Sequence, residues 1–219
     1  MRITVSLKIK KKSGSSVPPM DAGTYPAVCV GIVDLGEQYS ETFKKYSDKL
    51  LVIWEIPSQT IEIDGEDKPR WLSKDFSASL NEKSNLYQTL VSWRGKAFTE
   101  NELTEDENGF MQFSVLDMLG TGCFLQVIVE EKDGNSYNRI TSVISLPAGM
   151  SAPTTETPLI AFDMDAWDDE VFNSLPVWIQ DRIKKSTQYQ KLHVPTDPVD
   201  VDTSGGQNQE QAQKEENPI

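Results

Sequence analysis

The sequence predicts a mainly β protein built on an OB-fold, a five-stranded, partly open barrel with one helix between strands 3 and 4. Three observations point there. Five strand-like segments lie between Ala27 and Leu146, one amphipathic helix separates the third from the fourth, and an Asp-Gly turn joins the last two.

The elements follow in order. Ala27 to Val33 is apolar and β-branched, and Lys49 to Ile56 reads Leu-Leu-Val-Ile-Trp-Glu-Ile after its lysine. Lys68 to Ser77 mixes aromatic and polar residues. Ser79 followed by Glu82 has the capping-box spacing and places a helix start there. Leu86, Leu90 and Trp93 then fall on one helical face, and Gly95 stands where a left-handed C-cap residue belongs. Phe113, Leu116 and Leu119 predict a short helix over Ser114 to Leu119, ended by Gly120. Gly122 to Glu131 and Tyr137 to Leu146 are the last two strands, and Asp133-Gly134 between them tolerates the positive φ of a hairpin turn. The same order also suits a sandwich of five or six strands with the helix packed on one end.

The flanks differ from this domain, which spans residues 21–150. Residues 1–20 form a basic arm and a turn-rich linker. Residues 151–193 hold a second linker and a short helical segment, in which Pro176 suits a first turn and Ile179 and Ile183 share a face. A helix so short is marginal alone, so it should dock on the barrel or on a partner. Residues 194–219 are polar, with Gly205-Gly206 and Gln/Asn repeats, and should form a disordered acidic tail because they bury too little to offset ordering entropy.

Charge limits the function. The chain has 219 residues and a formal net charge of −13, which by itself argues against nucleic acid as a ligand. The acids, however, lie largely outside the middle. Lys44 to Lys96 carries nine basic and eight acidic residues, so a basic groove can exist there. No apolar run approaches the ~20 residues of a membrane span, and no secretory signal is recognisable, so a cytoplasmic protein without membrane partners is expected. Cys29 and Cys123 sit in apolar strand contexts and read as buried thiols rather than a disulfide.

Catalysis has little to work with. His193 is alone, no Cys/His metal spacing or Gly-rich phosphate loop exists, and the acids Asp163, Asp165, Asp168 and Asp169 lack the Gly and Glu positions of a calcium loop. That cluster reads as a solvated face and helix N-terminal charge, and no cofactor is expected. An enzyme is the least supported class.

Binding has more. Single-strand recognition combines a cationic groove with aromatic rings on which bases stack. Cations and aromatics interleave where an OB-fold uses them: Tyr39, Lys45, Tyr46 and Lys49 in the strand 1–2 loop, Arg70, Lys74 and Phe76 on strand 3, and Arg94 and Lys96 after the helix. In this reading the cations meet phosphates and Tyr39, Tyr46 and Phe76 stack on bases, whereas Trp54 and Trp93 belong to the core. The tail ends in Glu215, Glu216, Pro218 and Ile219, an apolar tip beside carboxylates, which suits docking to a partner protein. An adaptor that binds another protein and no nucleic acid is the competing class.

A resemblance sharpens this. Ser79 to Leu86 and Val91 to Thr99, with Leu51 to Ile56, Leu119-Gly120 and Leu175 to Ser186, resemble a family of phage- and prophage-encoded proteins of replication and recombination modules. The resemblance covers about residues 21–190. It implies a single-stranded-DNA-binding protein of the OB-fold type, from DNA replication or recombination modules. Weak sequence preference is expected with it, and the tail's own residues suggest recruitment of other replication or recombination proteins. The ending is similar to the acidic tip of bacterial single-strand-binding proteins, but has Ile219 in place of phenylalanine. Such binders often assemble several barrels, so a homo-oligomer fits the reading.

Overall fold

The computed structural model describes residues 18–63 and 65–193. The expectations for residues 1–17 and for the tail, including Glu215, Glu216, Pro218 and Ile219, lie outside the described residues.

The strands are β1 (Gly23–Ser40), β2 (Lys45–Ile63), β3 (Glu66–Ser77), β4 (Thr104–Glu105), β5 (Met111–Gln112), β6 (Gly122–Lys132), β7 (Asn135–Ile144) and β8 (Ile160–Phe162). The helices are α1 (Asn85–Arg94), α2 (Asp169–Ser174), α3 (Val177–Ile183) and α4 (Thr187–His193). The main sheet runs β3-β2-β1-β6-β7 with antiparallel neighbours, β8 adds to β1 in parallel, and β4-β5 is a separate small hairpin. Successive antiparallel pairings make β3 and β7 parallel to each other. Those two edges approach without a ladder among the described residues; Arg70 Nη1 reaches Asn138 Oδ1 at 3.5 Å.

Strand alternation explains two cores rather than one. A strand sends successive side chains to opposite faces. On β1 and β2, Ala27, Cys29, Ile32, Val52, Trp54 and Ile56 point one way, into a core completed by Leu86, Leu90 and Trp93 of α1 and by Leu125, Val127, Ile140 and Val143. Val28, Val30, Val33, Leu35, Leu51 and Ile53 point the other way, where Phe162, Met164, Phe172, Leu175, Ile179 and Ile183 of the C-terminal segment cover them. Both faces being apolar is why Ala27 to Val33 reads as a continuous apolar run.

The single helical segment expected after residue 150 is therefore larger: β8 and three helices close the second face. Ile179 and Ile183 are fully buried there. Gly36 marks the closest approach. Its φ is +67°, and a Cβ there would stand 2.8 Å from Ser186 Cβ, so only glycine lets the strand meet the start of α4.

The start of α1 also differs from expectation. Ser84, not Ser79, is the N-cap, its Oγ accepting from the Tyr87 N–H at 3.1 Å. Ser79 and Asn81 instead accept from the Asn81 and Lys83 N–H groups, so local side-chain turns occupy residues 79–83. The C-terminal end is as expected, with Gly95 left-handed at φ 70°. Val115–Met118 forms a 3-10 turn, and Asp133-Gly134 makes a two-residue hairpin with φ of 52° and 75°. No helix is long and apolar enough to cross a membrane among the described residues.

Candidate nucleic-acid interface

The expected strand 1–2 loop is not a loop. β1 and β2 stay paired to Ser40↔Lys45, leaving only Glu41 to Lys44 as the turn of a long two-stranded ribbon. Local pairing wins because Gln38, Tyr39, Ser47 and Tyr46 sit directly opposite one another, and aromatic cross-strand pairs stabilise a ladder. Tyr39 faces Tyr46 with ring centroids 5.0 Å apart. Both rings are about half exposed, and Phe43 at the turn is 73% exposed.

The ribbon sorts its groups by face. Lys45 and Lys49 alternate with Tyr46 along β2, so the ammonium groups leave from the side opposite the tyrosine pair. Lys44 Nζ sits 2.6 Å from Glu41, a highly exposed pair, and such pairs contribute little. Lys49 Nζ donates to Ser77 Oγ at 2.8 Å and remains at the surface.

The other expected contacts lie elsewhere. Phe76 is 3% exposed and belongs to the first core, which rules out base stacking. Its partner across the ladder, Leu50, faces inward, and Phe76 shares that face. Arg70 and Lys74 have the same parity on β3, so they leave from the face of the first core, toward the β3–β7 seam, rather than from the opposite face. Arg70 Nη1 donates to the Pro18 carbonyl at 2.9 Å. Burial, and secondarily the nearby Arg139 charge, push the Lys74 pKa down.

Arg94 and Lys96 are committed to protein contacts. Arg94 is ion-paired to Glu102, its side chain 8% exposed, and its guanidinium lies 4.2 Å from the Phe98 centroid. Lys96 Nζ donates to the same carboxylate at 2.6 Å. Bonds from Lys96, Arg94 and Thr99 hold the Glu102 carboxyl well below its ordinary pKa. Of the nine expected residues, the fold thus groups Tyr39, Lys45, Tyr46 and Lys49 on the ribbon and disperses the rest.

Two features escaped the sequence reading. Glu55 is fully buried on the second face of β2, and its carboxylate accepts from the Glu156 N–H at 3.0 Å, the Thr157 N–H at 3.2 Å and the Thr157 hydroxyl. It fixes the segment leading to β8. Its one signal was a single acid inside the apolar run Leu51 to Ile56. The second feature is a groove of about 890 Å3 beside β3, walled by Trp71, Trp178, Ile61, Ile63, Tyr137 and Arg70. Trp71 is held by a 3.0 Å bond from Nε1 to the Thr157 hydroxyl, while Trp178 is 46% exposed. Its walls come from residues more than 100 positions apart in sequence, so no local pattern announces it.

Neither the family models nor the curated proteins compared give a match to this chain. Cys29 and Cys123 are buried free thiols, and burial lifts the Cys29 pKa to about 12, far from the thiolate a nucleophile needs. His193 stacks on Tyr189 with centroids 4.2 Å apart at the end of α4. Among the described residues no cluster of three or more His, Cys, Asp or Glu is arranged to hold a metal.

Proposed function

We propose that this chain is a non-enzymatic single-stranded-DNA-binding protein with an OB-type barrel, of the phage replication or recombination kind that its sequence resembles. The observation that carries the reading is the exposed Tyr39–Tyr46 pair with Phe43 and three lysines on the projecting β1–β2 ribbon. Half-exposed rings that pack only on each other still offer edges and faces to unstacked bases, and each stacked base contributes roughly 1–3 kcal/mol. The strand order, with α1 between β3 and β6 and the β3 and β7 edges in proximity, supports the OB-type assignment.

The C-terminal segment narrows the binding path. OB-fold ligands ordinarily cross the outer face of strands 2 and 3. Here Leu51 and Ile53 on that face are already buried under α2 and α3. A bound strand must then keep to the ribbon and the part of β3 left open, where the Trp71–Trp178 groove lies. The second reading, an adaptor that binds protein and no nucleic acid, draws on the apolar character of that groove.

Fluorescence anisotropy with labelled oligo-dT, duplex DNA and RNA across a salt series separates the two. The proposed function expects oligo-dT to bind more tightly than duplex, with affinity falling linearly in log salt. Absence of oligo-dT binding at low salt and micromolar protein favours the adaptor.

A further inference from the structure

The surface opposite in character to the ribbon is the excursion between α1 and β6. Residues 97–131 contain eight acids and no Lys or Arg. Within it the β4–β5 hairpin lifts two large apolar side chains into solvent, Phe110 at 68% and Met111 at 46% exposure. They form the lip of a groove of about 340 Å3, whose other walls include Leu80, Tyr87, Phe98 and Leu103.

The floor of this groove is rigid. Phe98 packs on Tyr87 with centroids 5.3 Å apart and edge-on against Phe113 at 4.9 Å. Arg94 lies across Phe98 and is itself tied to Glu102. The hairpin is also pre-set: Asp106 Oδ1 accepts from the Asn108 and Phe110 N–H groups at 2.9 and 2.8 Å. A preformed apolar recess of this size suits one or two anchoring side chains of a protein ligand, and pays little ordering cost on binding.

Charge decides what kind of partner. Glu102 is neutralised by Arg94 and Lys96, and Asp106 is bonded within its own turn. Glu100, Glu105, Glu107 and Asp117 are exposed and make no ion pair among the described residues. Glu105 stands opposite Met111 and Glu107 lies in the turn between β4 and β5, so the hairpin lip carries negative charge that repels phosphates and attracts cations. We infer that the Phe98–Phe110 groove is a docking site for a protein segment with a large apolar anchor flanked by Lys or Arg. It is a different surface from the ribbon and does not depend on the DNA-binding reading.

The test uses the full chain and a fluorescein-labelled synthetic peptide bearing adjacent Trp and Leu flanked by two lysines on each side. A control peptide replaces the lysines by glutamates. The basic peptide should bind, weaken with salt, and perturb amide signals of residues 98–112 in NMR spectra. Phe110→Ser should lower its affinity at least tenfold, and Glu105→Lys with Glu107→Lys should do likewise, with the thermal midpoint unchanged because these side chains are exposed. Oligo-dT affinity should not fall in Phe110→Ser, whether or not the wild type binds DNA. The inference is overturned if the basic peptide does not bind at millimolar concentration, if the acidic peptide binds equally well, or if the perturbed signals map to the ribbon.

Discussion

At the tip of the β1–β2 ribbon and at the end of α1, the chain sets the same two kinds of side chain close together, cations and aromatic rings. At α1 they satisfy one another: Arg94 covers Phe98 and pairs with Glu102, which also holds Lys96. At the ribbon they do not. Tyr39 and Tyr46 stay about half exposed and Phe43 more so, and no carboxylate is bonded to Lys45 or Lys49 among the described residues. The difference is one acid in the right place. Glu102 converts its neighbourhood into structure, whereas on the ribbon Glu41 takes only the turn lysine, Lys44, in a highly exposed pair.

Breaking the α1 side should produce the largest effect. Trp93→Ala removes a buried ring that packs on Trp54 at 5.5 Å, and should cost about 3–5 kcal/mol of stability. Urea denaturation measures it, and a folded variant that has selectively lost DNA binding would show that Trp93 faces the ligand. Next in size, Tyr39→Ala and Tyr46→Ala should each weaken oligo-dT binding by about 1–3 kcal/mol with stability nearly unchanged, read by anisotropy and thermal melting together. Unchanged affinity in both would remove the ribbon from the interface.

Arg94→Ala should lose about 1–2 kcal/mol of stability through its stacking and hydrogen bonds, with the salt dependence of DNA binding untouched. Lys45→Ala should do the reverse, keeping stability and making the log-affinity versus log-salt slope shallower by about 0.7. Equal slopes in wild type and Lys45→Ala would mean that this ammonium meets no phosphate. The smallest effect is on pH dependence. Glu102 has its pKa lowered from 4.5, so its contribution is present above that pH and is lost as pH falls through the folded value. Thermal midpoints between pH 7 and 3 should therefore fall less steeply for Glu102→Gln than for wild type, and identical limbs would refute the assignment.

Local chemistry made much of this protein legible before its shape was known. The cores of β1, β2, β3, β6 and β7, the Asp133-Gly134 turn, the apolar face of α1 with its Gly95 cap, and the buried Trp54 and Trp93 all follow from periodicity and turn preference. These signals act over a few residues, so the sequence contains them whole. The interleaving of Tyr39, Lys45, Tyr46 and Lys49 is equally visible in the sequence, which nevertheless predicts a loop where the paired ribbon stands.

What tertiary structure decided is which of two plausible environments each ambiguous residue received. Phe76, Arg70 and Lys74 share one parity on β3, and only the sheet register tells which face turns inward. Arg94 became structural because Glu102 folds back across eight residues to meet it. Ser84 caps the helix in place of Ser79 because side-chain turns engage the Asn81 and Lys83 N–H groups and delay the helix start to the residue that can accept from Tyr87. Glu55 and the β3 groove depend on segments more than 100 residues away closing the second face of the sheet. Hydrophobic burial specifies that a face be covered but is indifferent to which segment covers it. That choice is made only by the whole chain, through the fit of Ile179, Ile183 and Phe172 against Val30, Leu35 and Ile53.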